Sequence, residues 1–408
     1  MSYREAALNE YGAELSVPFP LSEYEDRLSR AVAEMEDRGI DLLYCTSPES
    51  IFYFTGYQNE WYQEQSPGRM APVMGVAISR EDEELIQFEK QTEELLVKYT
   101  SIASDVRIWE GDLGPVEYLI DQLGSEGWLS GTVGFEQRHY RPTPHWSRKM
   151  ETAFESEGCT VTDATDVGRV LREDKSPLEL SYVRKAGRIA DVGLQAALEF
   201  IEPGVTELEI KGEIERAMYE AGGEHSAIPT HVATGARVSS LHSLAGRNSV
   251  MHGDLISIDL CGVYNRYHAN LARMISVGEP DEPVAEMIDT AAGGITLLED
   301  LAEPSVHTDE INPELESYYR DAGIWEDRWF TGGYELGISF PPDWVGHYVY
   351  GPDEDLEMEF SPGTTVQYES NFYLPRGSGM CGLIDTFVYD EEGADRLSDF
   401  SPELLVLE

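Results

Sequence analysis

The sequence predicts a two-part α+β chain: an open α/β domain over residues 1–172, then a larger α+β domain over 173–408. Three observations predict it. Strand-like and helix-like segments alternate as far as Arg172, the pattern of an open α/β sheet. Two long amphipathic segments then follow back to back, each opened by a helix-capping sequence. After them the chain is rich in strands, among them LISIDL at 255–260.

Residues 1–20 are a polar lead ending in PFP. SEYEDRLSRAVAEMEDRG carries Tyr24, Leu28, Ala31, Val32 and Met35 at helical spacing and stops at Gly39. IDLLYC is a buried strand and SPESIFYFTGY a short helix. PVMGVAIS, DEELIQFE, SDVRIWEG and GTVGFEQ are further strands; LGPVEYLIDQLGSEG and PTPHWSRKMETAFESEG are helices. In the second domain Ser176, Pro177 and Glu179 form a capping box with proline at the first helical position. That helix runs to Glu202-Pro203-Gly204. Thr206 and Glu209 repeat the cap for a helix closed by Gly222-Gly223. LISIDLCGVY, TVQYESNFYL and GLIDTFVY supply a sheet with those helices on one face.

Charge narrows the function. The chain has 77 acids against 29 bases, a net charge of −48, and only 6 lysines. The acids are spread along its length, as in EDEELIQFE and GPDEDLEMEF. This is the surface of a protein kept soluble in high salt, where screening lets like charges coexist, and a halophile's cytoplasm is expected. Such a field repels nucleic acid and anionic membranes, so neither is expected as a partner. Cys45, Cys159, Cys261 and Cys381 form no CxxC pair and are expected as buried thiols. No apolar run reaches the length of a membrane span, and MSYREAALNEYG lacks a signal pattern.

Asp259 is a lone acid among the aliphatics of LISIDL. Burying it costs several kcal/mol unless a charge, a metal or hydrogen-bond donors answer it. Past Gly262 a second strand carries Tyr264, Arg266, Tyr267, His268 and Asn270. Strict alternation places Arg266 with His268 on one face and Tyr267 with Asp259 on the other. Tyr264, Arg266 and His268 are candidates to clamp a small carboxylate, Arg266 by two parallel bonds. Asp343 and Trp344 form either a cation box or a rigid Pro-Pro-Asp-Trp turn. Glu369, in VQYES, is expected to be buried.

KSPLEL, EPGVTELEI, the GDLISID strand, PGTTVQYE and a last strand before DEEG resemble, in this order, the creatinase, aminopeptidase P and prolidase family (peptidase M24). The resemblance covers 175–408 closely and 20–170 loosely, through RGIDLLY and FTGY. It implies a pita-bread catalytic domain at 173–408 behind a smaller creatinase-type α/β domain at 1–172. It also implies a homodimer acting on small molecules. Family peptidases hold two metal ions on Asp, Asp, His, Glu and Glu. The matching positions here are Asp259, Asn270, Ile338 within Gly337-Ile338-Ser339-Phe340-Pro341, Glu369, and Ile384 with Asp385 adjacent. An amide and two isoleucines cannot supply bridging carboxylates, so no metal cofactor is expected.

GVYNRYHAN, His242 seven residues after Gly235, and GISFPPDW at 337–344 resemble the metal-free ectoine hydrolase and creatinase branch. By that resemblance His242 faces the reacting group, where an imidazole oriented by a carboxylate moves a proton between water and a leaving nitrogen. Glu369 pairs with a cationic amidine or guanidinium, or fixes the attacking water. Asp259 shares that work, or bonds Asn270 or Arg273. His347, in DWVGHYVYG, lies two residues past the place of a second family histidine. Trp61 closes a neighbouring subunit's pocket. The expected function is metal-independent hydrolysis of a small non-peptide C–N bond, in an ectoine-like cyclic amidine or a creatine-like substrate. A metal-dependent Xaa-Pro peptidase and a non-catalytic binding protein remain open.

Overall fold

The computed structural model describes residues 6–7, 14–60, 62, 73–139, 141–354 and 356–408. They divide into two compact units, Met1–Arg172 and Glu173–Glu408. The first is built on a six-stranded sheet. Its strands are β1 (Leu42–Cys45), β2 (Val76–Ser79), β3 (Glu84–Lys90), β4 (Asp105–Trp109), β5 (Thr132–Phe135) and β6 (Thr160–Asp163), in the order β4-β3-β2-β1-β5-β6. Only β2 runs against its neighbours. Helices α1 (Leu21–Arg38), α2 (Pro48–Thr55), α3 (Glu94–Thr100), α4 (Pro115–Glu126), α5 (Pro144–Ser156) and α6 (Thr165–Glu173) complete it. Trp61 lies outside the described residues.

The second unit begins with the two capped helices. In α7 (Pro177–Phe200) Ser176 Oγ accepts from the Glu179 amide and Glu179 answers the Ser176 amide; Thr206 and Glu209 do the same for α8 (Glu207–Glu220). Both pack on β8 (Leu255–Tyr264) and β9 (Tyr267–Val277) through Ile189, Leu194, Ile214, Ile258, Leu260 and Leu271. Gly262 is required here, because a Cβ would meet the Ala186 carbonyl oxygen at 1.9 Å. Helices α9 (Glu282–Leu301) and α10 (Thr308–Asp321) cover β14 (Thr365–Tyr373) and β15 (Met380–Asp390) through Ile288, Ile295, Tyr319, Tyr368 and Leu383.

With β7 (His231–Thr234), β11 (Arg328–Glu335) and β12 (Val349–Tyr350), these strands form a sheet in the order β12-β11-β14-β15-β9-β8-β7, while β10 (Val306–His307) and β13 (Glu359–Phe360) pair separately. The registers Ile384↔Ala272 and Glu369↔Ile384 put both helix pairs on one face. The other face is left for the site.

The β8–β9 hairpin overturns the alternation expected from the sequence. Its turn is two residues, Asn265 and Arg266, both at positive φ (47° and 64°), the geometry that matches strand twist. Tyr264 pairs with Tyr267 and Asp259 with Ala272, so the turn exchanges odd for even between the strands. Asp259 therefore shares its face with His268 and Asn270. Tyr267 lies on the helix face and donates to Glu179 Oε1 at 2.6 Å.

Candidate active site

A pocket of about 490 Å³, open mouth included, sits on the helix-free face. Its polar lining is His231 from β7, Ser257 and Asp259 from β8, Tyr334 from β11, Glu369 and Asn371 from β14, and His242 from the loop after β7. Trp329 and Trp344 supply its aromatic walls. Among the described residues no lysine or arginine lines it.

The acids are held from behind by amides. Asp259 Oδ1 accepts from Asn270 Nδ2 at 2.7 Å, while its Oδ2 lies 3.5 Å from His231 Nδ1. Residues 231 and 259 are opposite each other in the β7–β8 ladder, which places that imidazole. Glu369 accepts from Gln367 Nε2 at 2.7 Å and Asn371 Nδ2 at 2.5 Å. Burial, with Asp259 nearby, outweighs those bonds and pushes the Glu369 carboxyl up to about 7.

His242 is exposed at the pocket wall, on a loop pinned by the fully buried Glu207. That carboxylate accepts from the Thr234 amide (3.0 Å), the Gly246 amide (2.7 Å) and Arg237 Nε (3.1 Å). Gly382 leaves room for Leu241 beside it, since a Cβ there would come within 2.5 Å of the leucine. The His242 ring stands 6.2 Å from that of His231 and 5.9 Å, edge to face, from that of Trp329. The carboxylate expected to orient His242 faces His231 instead.

His242, Asp259, Glu369 and Trp344 thus meet in one pocket. The other described candidates lie elsewhere. Arg266 is fully buried in the hairpin turn, where it donates to the Ser339 and His225 carbonyls and so clamps the segment that supplies Trp344. His268 lies behind Trp344; its Nε2 accepts from the Ala227 amide, and burial holds it well below the usual histidine range. Tyr264 packs on Tyr182 and Lys185 at the helix face. Asp343 is exposed and accepts from the Val345 amide, a turn and not a cation box. Trp344 alone of that pair reaches the pocket, its Nε1 donating to Tyr334 Oη at 2.9 Å. His347 sits against Glu173 at 3.3 Å, outside the lining.

The ligand positions also need revision. Ile338 does not line the pocket; it bridges to Tyr267. The family's metal histidine sits in a Gly-His-x-x-Gly turn, and that spacing falls at Gly333-Tyr334-Glu335-Leu336-Gly337, with Tyr334, which lines the pocket, in the place of the histidine. Ile384 lines the pocket, and Asp385 faces the helices, paired with the fully buried Arg273 at 2.9 Å. That turn spacing is the signal that could have found Tyr334; His231, Asn371 and Trp329 had no motif to reveal them. Strand register alone brings His231 to Asp259.

The Metallopeptidase family M24 matches residues 181–391, and the Creatinase/Prolidase N-terminal domain matches 27–173. The chain belongs to family M24, and with it to the enzymes that hydrolyse carbon–nitrogen bonds. It is 27% identical to the ectoine hydrolase of Halomonas elongata, over 96% of this chain and 99% of that one. It is 26% identical to the Xaa-Pro dipeptidase of Pyrococcus furiosus, over 93% and 100%. A dipeptidase structure from Pyrococcus horikoshii superposes with a TM-score of 0.79 at 22% identity, covering 93% of this chain and all of that one. The fold is therefore a creatinase-type domain followed along the chain by a pita-bread domain. No helix among the described residues is long and apolar enough to cross a membrane.

The expectation that no metal is used is corrected by this match, because the family is one of metallopeptidases. The side chains present fit its two-ion site poorly. Asn270, Tyr334 and Ile384 stand at three positions, and among the described residues no group of three or more His, Cys, Asp or Glu could hold an ion.

Proposed function

We propose that this enzyme hydrolyses a C–N bond in a compact small molecule that carries an amidinium group, a cyclic amidine of the ectoine type. The observation that carries this reading is a pocket walled by tryptophan and tyrosine, whose lining among the described residues holds two carboxylates and no basic side chain but histidine. An amidinium placed there faces Asp259 and Glu369, which offset its desolvation. Its carbon is already electrophilic. A base takes a proton from water as the oxygen attacks, and the tetrahedral intermediate expels the ring nitrogen as that proton is returned to it. His242 is the assigned shuttle. Glu369, near 7, is suited to holding the water or sharing the proton. Similarity to the Halomonas enzyme along nearly the whole chain supports the substrate class.

The test is a panel of ectoine, hydroxyectoine, creatine and Xaa-Pro dipeptides in molar salt, each with chelator and with added manganese or zinc. Turnover of an ectoine is expected. Cleavage of the dipeptides alone would refute the assignment and favour the peptidase reading that similarity to the Pyrococcus enzyme supports.

A further inference from the structure

We infer that Trp329 is the specificity residue of this pocket, selecting a planar delocalised cation over a neutral molecule of the same shape. The inference rests on the cationic-substrate reading above and names the side chain that enforces it. The register between β11 and β14 slips at this residue: Arg328 pairs with Phe372, but Phe330 pairs with Asn371. Trp329 is the extra residue of a β-bulge, a device that re-aims a side chain out of strand alternation. Here it aims an indole at the pocket wall beside Asn371 and His242.

Both flanks of the bulge are fixed. Arg328 stacks on Trp325 at 3.8 Å and pairs with Asp353 at 2.7 Å, and Phe330 is held by its ladder partner. The indole itself stays 43% exposed. An exposed tryptophan, fixed in place and lining a pocket that carries two acids, has a π face to offer to a cation and little to gain from burial in the apo fold. Trp344, by contrast, is 2% exposed and tied to Tyr334, so it serves as a wall. A cation seated between Trp329 and the carboxylates gains from the ring quadrupole, which a neutral isostere does not.

The experiment is calorimetric titration of wild type, Trp329→Phe and Trp329→Leu with two ring probes, the cationic methyl tetrahydropyrimidine and the neutral valerolactam. Trp329→Leu is expected to weaken the amidine by about three- to thirtyfold and the lactam by less than about twofold. Trp329→Phe should keep most of the amidine affinity. Equal weakening of both probes, no weakening of either, or no amidine binding by wild type would each overturn the inference. Because position 329 is exposed, thermal melts of both variants should match wild type. Binding needs no turnover, so Trp329-dependent amidine binding by a protein that leaves ectoine intact would sink the proposed reaction and leave this inference standing.

Discussion

Replacing Glu369 by glutamine should make the protein more stable while disabling it, and the gain should depend on pH in a fixed direction. Holding this carboxyl at about 7 instead of 4.5 makes its ionisation in the fold unfavourable. The sign follows from proton linkage. Between the two values the folded state holds a proton that the unfolded state has lost, so stability falls as pH rises from about 4.5 to about 7. The accumulated cost is roughly 3 kcal/mol by about pH 8 and below roughly 1 kcal/mol at about pH 5. Glutamine keeps the shape and removes the charge. Its new donor has an acceptor within reach, because Gln367 Oε1 and Asn371 Oδ1 are buried without partners and either amide can turn over. Melts of Glu369→Gln and wild type at both pH values isolate the effect, since the other acids cancel in the difference. The variant's advantage should be about 5–10 °C larger at the higher pH. An advantage equal at both, or a variant less stable at about pH 8, would refute the argument that burial and Asp259 hold this group protonated.

His242→Ala should lower kcat by about a hundredfold or more with little change in melting temperature, because the ring is exposed; steady-state rates and a melt check both halves. Asp385→Ala leaves the fully buried Arg273 without its carboxylate and should cost about 3–5 kcal/mol in a urea titration of the pita-bread unit. With a net charge of −48, the melting temperature should rise between about 0.1 M and about 1 M potassium chloride, as the screening length falls from about 10 Å to about 3 Å.

What the sequence carries plainly is local. The caps at Ser176 and Thr206 depend on residues three apart, and both helices start where those residues place them. Asp259 stands out because an acid inside an aliphatic strand needs a reason. What it hides is set by pairing between distant strands. His231 begins an unremarkable HVAT strand and comes to line the pocket because its ladder partner is Asp259. The two-residue turn at Asn265–Arg266 exchanged the faces of β9, which removed Arg266 and Tyr264 from the pocket and put Asn270 beside Asp259. No periodicity rule announces a bulge, so Trp329 was invisible until β11 and β14 were paired.

The closeness of Glu369 to Asp259 makes occupancy of the pocket a competition between two positive guests. In the empty enzyme near neutrality a proton partly quenches the paired acids. The amidinium of the proposed substrate would have to evict it, so its capture would be coupled to release of hydrogen ion into the solvent. Affinity should therefore climb as the medium becomes more alkaline, until the last proton has gone.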